Sequence, residues 1–287
     1  MYLYTVQMSN LLEKISIKFF QFRLRLMTPK YPKIKGDPKI TLDCLGSIYG
    51  RKYFSPSMLR SSPILVSGGV GEDISFDIEF ITKFEAKGFL FDPTPRAIKH
   101  IENAKEFYGS EPNQMYSDSG EQDIRSYNLK SINSSNLNFH SYALLDSPKV
   151  VRFYEPLNPT HVSYSVQNIQ NQFSENGSHI EVSAIGPKEV CELVKSNQID
   201  VLKLDIEGSE YLFLSSCFES RIYPHQILIE VDELHFPSFK SRKIAKKIFS
   251  LLTSNKYQLI YIDGFNFTYI LEKSARSSQY YEPASKK

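Results

Sequence analysis

Short apolar runs alternate with amphipathic stretches from residue 63 to residue 271. The short runs have the length and composition of buried strands, whereas the longer stretches repeat apolar residues every three or four positions, as helices do. Strands are therefore predicted at 64–66, 88–92, 137–146, 149–156, 199–208 and 226–233. Helices are predicted from the glycines near residue 70 to residue 87, and over 94–108, 187–197, 209–218 and 236–252.

This alternation favours parallel strands joined by helical crossovers. The last two apolar runs, 257–263 and 265–271, flank Gly264 and predict an antiparallel hairpin. The predicted fold class is therefore α/β, a Rossmann-like doubly wound sheet that is mostly parallel and ends in this C-terminal antiparallel hairpin. The strands at 137–146 and 149–156 are separated by a short link, which predicts a second hairpin.

A single main domain is predicted over 61–272. Residues 1–60 contain turn-rich stretches and are interpreted as an N-terminal lead-in or cap segment, and 273–287 as a polar tail. The polar segments 110–135 and 157–178 are predicted to be exposed loops or insertions.

Three helix boundaries can be predicted from single residues. Thr94 has a side chain suited to an N-cap, and Pro95 suits the first turn of the helix that follows. Ser209 is the predicted cap of a later helix. Gly88 is the predicted stop of the helix that follows the glycine turn.

The composition limits the classes of protein. The chain has 287 residues, of which 41% are hydrophobic and 23% charged, as in ordinary globular proteins. A net charge of +2 gives no reason to expect a nucleic-acid partner. No apolar run approaches the roughly 18–20 residues that span a bilayer, so no transmembrane segment is predicted. Three cysteines without metal-binding spacing fit a reducing compartment, and the cytoplasm is the expected location.

A glycine turn joins the first predicted strand to the first predicted helix in the sequence ILVSGGVGED, residues 64–73. Glycine adopts positive φ without strain and lets the backbone approach a ligand, while a helix N-terminus offers N–H groups. The usual ligand of such a turn is a nucleotide phosphate. Here Glu72 and Asp73 follow at once and would repel a pyrophosphate. The turn therefore favours a ligand that carries positive charge.

The dinucleotide-binding pattern G-x-G-x-x-G is incomplete, because Ile74 occupies the third glycine position after Gly69 and Gly71. The next strand ends in Asp92, where an acid can hydrogen-bond both hydroxyls of a ribose. A ribose beside a cationic group describes S-adenosylmethionine, although Asp92 could instead only cap the next helix. The predicted cofactor-binding residues are Gly69, Gly71, Glu72, Asp73, Asp92 and Asp205.

Carboxylates also follow two later strands. Asp205 and Glu207 end one of them, and Glu230 and Asp232 end the next, with His235 close behind. Because open parallel sheets bind ligands at the carboxyl edge, these groups are expected beside the glycine turn. A carboxylate or a histidine there can act as a general base. The predicted catalytic residues are Asp205, His235, Glu207 and Glu230.

No metal ligand is assigned, but two alternatives stay open for these acids. Carboxylates alone suit Mg²⁺ or Ca²⁺, so the cluster could hold a divalent cation. Individual acids could also face solvent or cap the helices that follow.

Several motifs together resemble the FkbM-type methyltransferases, which are class I S-adenosylmethionine-dependent enzymes. The resemblance rests on GVGEDISFD, FDPTP, DVLKLDIEGSEY and ILIEVDELH, and extends to IYGRKYFSPSML and RFYEPLNPTHVSYSV. It covers roughly residues 45–270. The sequence departs from the family pattern at Gly68, where an aromatic residue is usual, and at Arg51 and Lys52, which replace Gly-Trp.

The resemblance implies a Rossmann-like fold and methyl transfer to oxygen, on sugars or polyketide-like natural products. It implies that Gly69, Gly71 and Glu72 line the methionine part of the cofactor and that Asp92 holds the ribose. Asp205 would then lie near the methyl group and the acceptor.

The predicted function is an S-adenosylmethionine-dependent O-methyltransferase acting on a hydroxyl of a sugar or natural-product-like acceptor. The expected partner is a small-molecule or glycan acceptor, and the sequence does not indicate an oligomeric state. One alternative is a nicotinamide-dependent oxidoreductase, which would use the same crevice and Asp92. Another is a non-catalytic binding module that retains the fold.

Overall fold

The computed structural model describes residues 22, 26–34, 40–155, 164–167, 177–235 and 237–272. Five helices are named here in chain order: α1 (Ser75–Phe84), α2 (Pro95–Glu106), α3 (Pro187–Val194), α4 (Glu210–Glu219) and α5 (Phe239–Ser254). The strands are β1 (Asp43–Leu45), β2 (Lys52–Phe54), β3 (Ile64–Gly68), β4 (Lys87–Phe91), β5 (Leu137–His140), β6 (Ala143–Leu144), β7 (Lys149–Tyr154), β8 (His179–Ile185), β9 (Val201–Leu204), β10 (Gln226–Glu230), β11 (Tyr257–Asp263) and β12 (Asn266–Leu271).

The central sheet has seven strands in the order β11-β12-β10-β9-β3-β4-β5. Strands β5, β4, β3, β9 and β10 pair in parallel in that order, whereas β12 pairs antiparallel with both β10 and β11. The predictions of an α/β fold, a mostly parallel sheet and a C-terminal antiparallel hairpin are therefore confirmed. All four residues of β9 are buried, as expected for a strand with helices covering both faces of its sheet.

The predicted hairpin between 137–146 and 149–156 is wrong. Strand β5 joins the central sheet beside β4, while β7 pairs antiparallel with β8 in a separate three-stranded sheet that also contains β6. Leu137 packs in the core beneath β4, and Ala143 and Phe153 pack in a second cluster. The first run is therefore divided between two clusters, and β8 lies between β6 and β7 in the smaller sheet, so the short link between the two runs cannot act as a hairpin turn.

The structure confirms some of the predicted helix boundaries and contradicts others. The Thr94 side chain accepts a hydrogen bond from the Ala97 amide, which confirms the cap of α2. Ser209 stands at the start of α4, but its side chain makes no capping bond there. Helix α1 ends before Glu85, which adopts a left-handed conformation with φ of 50°.

Gly88 was wrongly predicted to stop α1, because it lies inside β4. A Cβ atom at this position would come within 2.4 Å of the Ile81 Cδ1 atom. Gly88 therefore allows α1 to pack closely on the sheet.

The segment 110–135 is irregular, yet it is anchored to the core. Tyr127, Leu129 and Ile132 are buried against α1 and α2. Most of the predicted loop 157–178 and the predicted tail 273–287 lie outside the described residues. Within the described part of the chain, no helix is long and apolar enough to cross a membrane.

Candidate active site

A cavity of about 430 Å³ opens at the carboxyl ends of β3, β4, β9 and β10. This volume is within the range of small-molecule sites. Parallel pairing brings the carboxyl ends of these strands to one edge of the sheet. Every site residue predicted from the sequence lines the cavity: Gly69, Gly71, Glu72, Asp73, Asp92, Asp205, Glu207, Glu230 and His235.

Gly69 lies where the turn after β3 passes the end of β9. Its φ is +71°, and a Cβ atom here would stand 1.6 Å from the carbonyl oxygen of Asp205. Backbone hydrogen bonds fix this approach, because the Gly69 amide donates to Phe91 and the Asp205 amide donates to Gly68. Only glycine fits this position. The turn and Asp205 therefore have fixed relative positions.

Close packing also explains why position 68 is a glycine, although the family pattern usually has an aromatic residue there. A Cβ atom at Gly68 would lie 2.6 Å from the Leu144 Cδ1 atom and 3.0 Å from the Ile206 Cγ2 atom. Leu144 belongs to β6 and therefore fills the space that a side chain at residue 68 would need.

Asp92 connects the glycine turn to the start of α2. Its Oδ2 atom accepts a hydrogen bond from the Gly71 amide at 3.0 Å, and its Oδ1 atom accepts from the Thr94 amide and hydroxyl at 2.9 and 2.6 Å. Burial raises the pKa of Asp92, although these hydrogen bonds oppose the shift. The Gly71 amide, which a phosphate-binding turn would offer to its ligand, is thus used within the protein.

The N-terminus of α1 is also satisfied by protein groups. The Ser75 amide donates to Asp73 Oδ1 at 3.0 Å, and the Ile74 amide donates to the Tyr127 hydroxyl at 3.2 Å. Asp73 Oδ2 accepts in addition from the Ser47 hydroxyl at 2.5 Å and from Gln122 Nε2 at 3.2 Å. Asp73 therefore binds the first amide of the helix and fixes the surrounding loops, besides lining the cavity.

Glu72 has a cationic partner that the sequence did not reveal. Arg96 Nη2 of α2 lies 2.5 Å from Glu72 Oε2, and the Arg96 side chain is 40% exposed. Arg96 offsets part of the Glu72 charge, which weakens the interpretation that Glu72 favours a cationic ligand.

Lys52 is the main site residue that sequence reasoning missed. Its side chain is only 8% exposed, and its ammonium group lies 3.4 Å from Asp205 Oδ2 and 3.2 Å from Glu230 Oε2 and also donates to Asn266. Burial alone would lower the pKa of Lys52, but the two carboxylates outweigh burial and raise it. Lys52 belongs to β2, inside the segment interpreted as a lead-in. The indication in the sequence was that Lys52 departs from the family pattern at this position.

His235 and Glu230 form a hydrogen-bonded pair. His235 Nε2 lies 2.9 Å from Glu230 Oε1, and the imidazole ring packs edge-on against Phe265 with 4.4 Å between ring centres. Burial would raise the pKa of Glu230, but the hydrogen bond with His235 and the charge of Lys52 outweigh it and lower the pKa. Glu230 therefore stays ionised and orients the histidine at the cavity wall.

Acidic groups are crowded on this side of the cavity, where Asp205 and Asp232 line it and Glu210 and Glu233 are buried near them. Burial raises the pKa values of Asp232 and Glu210 well above their ordinary range, and neighbouring carboxylates add to both shifts. Burial also raises the pKa of Glu233 to about 7. The pKa of Asp205 is raised by burial and by Glu230, while Lys52 opposes the shift. This side of the cavity therefore carries more acidic groups than nearby cations can offset.

A second buried lysine, Lys203, also lines the cavity. Lys203 Nζ in β9 is 3.3 Å from the Ser67 hydroxyl and 3.8 Å from Asp77 Oδ2, which is fully buried in α1. The sequence signal was a single lysine in the apolar run VLKL. This ion pair joins α1 to the sheet at the cavity.

The sequence of residues 84–259 matches the model of the methyltransferase FkbM domain. The match spans more than half of the chain and includes Asp92, Asp205 and Glu230, whereas the glycine turn precedes it. The chain therefore belongs to the FkbM methyltransferase family. No curated protein and no solved structure gave a match to the chain.

Proposed function

We propose that this protein is an S-adenosylmethionine-dependent O-methyltransferase. The observation that carries this proposal is the cavity at the carboxyl edge of the sheet, where Gly69, Asp92 and Asp205 meet. The order of the seven strands supports a Rossmann-like arrangement with the cofactor at this edge. The domain would span 61–272, with Lys52 of the preceding segment completing the site.

The cavity fits this cofactor better than a dinucleotide. The amides of Gly71, Ile74 and Ser75 donate to protein oxygens, so they are not directed at a pyrophosphate. We assign the turn at Gly69 and Gly71 to the methionine part of the cofactor and Asp92 to the ribose hydroxyls. Asp92 Oδ2 can accept one hydrogen bond beyond that from the Gly71 amide, because a carboxylate oxygen has two lone pairs, whereas Oδ1 already accepts two from Thr94.

When bound, S-adenosylmethionine supplies an electrophilic methyl group, and the residues of the chain prepare the acceptor. His235 takes the proton of the acceptor hydroxyl, and Glu230 holds the imidazole ring in the required orientation. Asp205 and Glu207 position the acceptor beside the turn. Alignment of the acceptor oxygen with the methyl group contributes much of the rate in such a displacement.

The acceptor class follows from the polar character of this end of the cavity. Carboxylates, Lys52, Asn266 and the ring of Tyr49 line the space beyond Asp205. Groups of this kind hydrogen-bond hydroxyl groups well and apolar surfaces poorly. We therefore propose a hydroxylated acceptor, such as a sugar or a natural product that carries free hydroxyls.

His235→Gln is expected to lower methyl transfer about 100-fold or more, because a positioned general base contributes at least that factor. The assay measures transfer from methyl-labelled S-adenosylmethionine to a panel of hydroxylated sugars and natural products. S-adenosylhomocysteine should bind the variant as it binds the wild type. The control is His179→Gln, which changes an exposed histidine of β8 outside the cavity. Wild-type turnover by His235→Gln would remove His235 from the mechanism.

A further inference from the structure

Lys203 is a buried residue whose ammonium group uses little of its hydrogen-bonding capacity. The residue is 4% exposed, yet it lines the cavity. Its Nζ atom has one hydrogen-bond partner in the described part of the chain, the Ser67 hydroxyl at 3.3 Å. Asp77 Oδ2, at 3.8 Å, forms an ion pair with Nζ but is beyond hydrogen-bond distance. An ammonium group carries three N–H donors, so two of them remain for a ligand.

The ion pair with Asp77 does not by itself explain a lysine in this strand. The other residues of β9 are apolar and fully buried: Val201, Leu202 and Leu204. Taking an ammonium group out of water is costly, and a buried ion pair is often no more stabilising than well-packed apolar side chains of similar volume. Buried polar atoms in native proteins nearly always have partners. The remaining donors of Lys203 therefore indicate a group that binds in the cavity.

Lys52, the other lysine among the described residues that line the cavity, has no such capacity. It donates to Asp205, Glu230 and Asn266, so its three N–H donors are all in use. An anionic group of a ligand would therefore find its cationic partner in Lys203 rather than in Lys52.

The position of Lys203 indicates which part of a ligand it meets. Strands β9 and β3 pair in parallel with Lys203 opposite Ser67, which comes directly before Gly68 and the glycine turn. The proposed function assigns this turn to the methionine part of the cofactor. That part carries a carboxylate as well as an ammonium group.

A carboxylate in this cavity needs a cation beside it. Asp92 and Asp205 line the cavity on either side of the turn, and like charges repel one another at short range. Burial raises the pKa values of both acids, and the charge of Lys203 opposes both shifts. The charge of Lys203 therefore acts on the same part of the cavity as these two acids.

We propose that Lys203 binds the carboxylate of the methionine part of S-adenosylmethionine through its two remaining N–H donors. Hydrogen bonds between charged groups are the strong ones, so this contact fixes the amino-acid end of the cofactor. Asp77 positions the ammonium group from α1. This inference rests on the proposed function and adds to it the residue that recognises the carboxylate.

The test compares two ligands by calorimetry on the full chain and does not require turnover. One ligand is S-adenosylhomocysteine, and the other is its decarboxylated analogue, which keeps the ammonium group but lacks the carboxylate. The wild type should prefer S-adenosylhomocysteine about tenfold or more, since hydrogen bonds to charged groups contribute on that scale. Lys203→Met should lose this preference, because its affinity for S-adenosylhomocysteine falls while its affinity for the analogue does not.

Asp77→Asn is the matched control, because it removes the partner of Lys203 and keeps the ammonium group. Its preference for S-adenosylhomocysteine should therefore remain. The double variant Lys203→Met with Asp77→Asn removes both buried charges and serves if Lys203→Met alone does not fold. It should show no preference between the two ligands. Circular dichroism checks the fold of each variant.

The proposal is overturned if the wild type binds the two ligands equally, or if the preference survives in Lys203→Met or in the double variant. Equal losses of affinity for both ligands would mean that the lysine only supports the structure of the site. Binding of neither ligand by the wild type would refute the proposed function as well. If the wild type binds S-adenosylhomocysteine and the preference does not depend on Lys203, only the assignment of Lys203 fails.

Discussion

Gly69→Ala is expected to abolish binding of S-adenosylmethionine. The added Cβ atom would stand 1.6 Å from the carbonyl oxygen of Asp205, and both groups are backbone or backbone-attached, so no side-chain rotation relieves the overlap. The turn or the end of β9 must move. Either movement displaces Asp205 from the cofactor turn. The φ of +71° adds strain for alanine.

Alanine substitutions at two other glycines distinguish the effect of the steric clash from the effect of positive φ. Gly109 has a φ of +87° and Gly71 a φ of +54°, and a Cβ atom at either would meet nothing within 4 Å. Gly109→Ala, remote from the cavity, should bind S-adenosylhomocysteine like the wild type. Gly71→Ala should have an intermediate effect. Calorimetry and the melting temperature of each variant are measured together. Wild-type affinity in Gly69→Ala would refute the assigned position of the cofactor.

Lys52→Met is expected to destabilise the protein and to abolish methyl transfer. The substitution leaves Asp205 and Glu230 facing each other without the ammonium group that lies within 3.4 Å of both. Removing one partner of a buried ion pair costs about 3–5 kcal/mol, which corresponds to a fall of roughly 10 °C in melting temperature for a domain of this size. Transfer should be lost because both carboxylates would then shift.

Lys83→Met provides the matched control. Lys83 also pairs with an acid, Asp43 at 2.6 Å, but its side chain is 49% exposed. Surface pairs of this kind contribute about 0–1 kcal/mol, so the melting temperature should change little. Combining Lys52→Met with Glu230→Gln should recover part of the lost stability, because Glu230→Gln removes one of the two unpaired negative charges. An unchanged melting temperature in Lys52→Met would contradict the assigned role of the lysine.

The sequence predicted those parts of the fold that depend on local patterns. Strand β3, the turn at Gly69 and the capping of α2 by Thr94 follow from neighbouring residues, so short windows reveal them. The acids after β9 and β10 could be grouped because parallel strands end at one edge of the sheet. That rule needs only the strand type and the direction of the chain.

The missed features depend on contacts between distant parts of the chain. Lys52 meets Glu230 across 178 positions in the sequence, and nothing near Lys52 indicates that partner. Strands β7 and β8 pair although a long polar segment separates them in the sequence. A short link between two apolar runs instead favours pairing of those neighbouring runs. Arg96 offsets part of the Glu72 charge only because α2 lies beside the glycine turn.

The most direct test of the central claim is calorimetric titration of the full chain with S-adenosylhomocysteine and, separately, with NAD⁺. We expect one site for S-adenosylhomocysteine and no binding of NAD⁺. Asp92→Ala should weaken the former about tenfold or more, because hydrogen bonds to a charged group contribute about 1.5–3 kcal/mol. Binding of NAD⁺ but not of S-adenosylhomocysteine would refute the proposed methyltransferase function, and unchanged affinity in Asp92→Ala would refute the assignment of Asp92 to the cofactor.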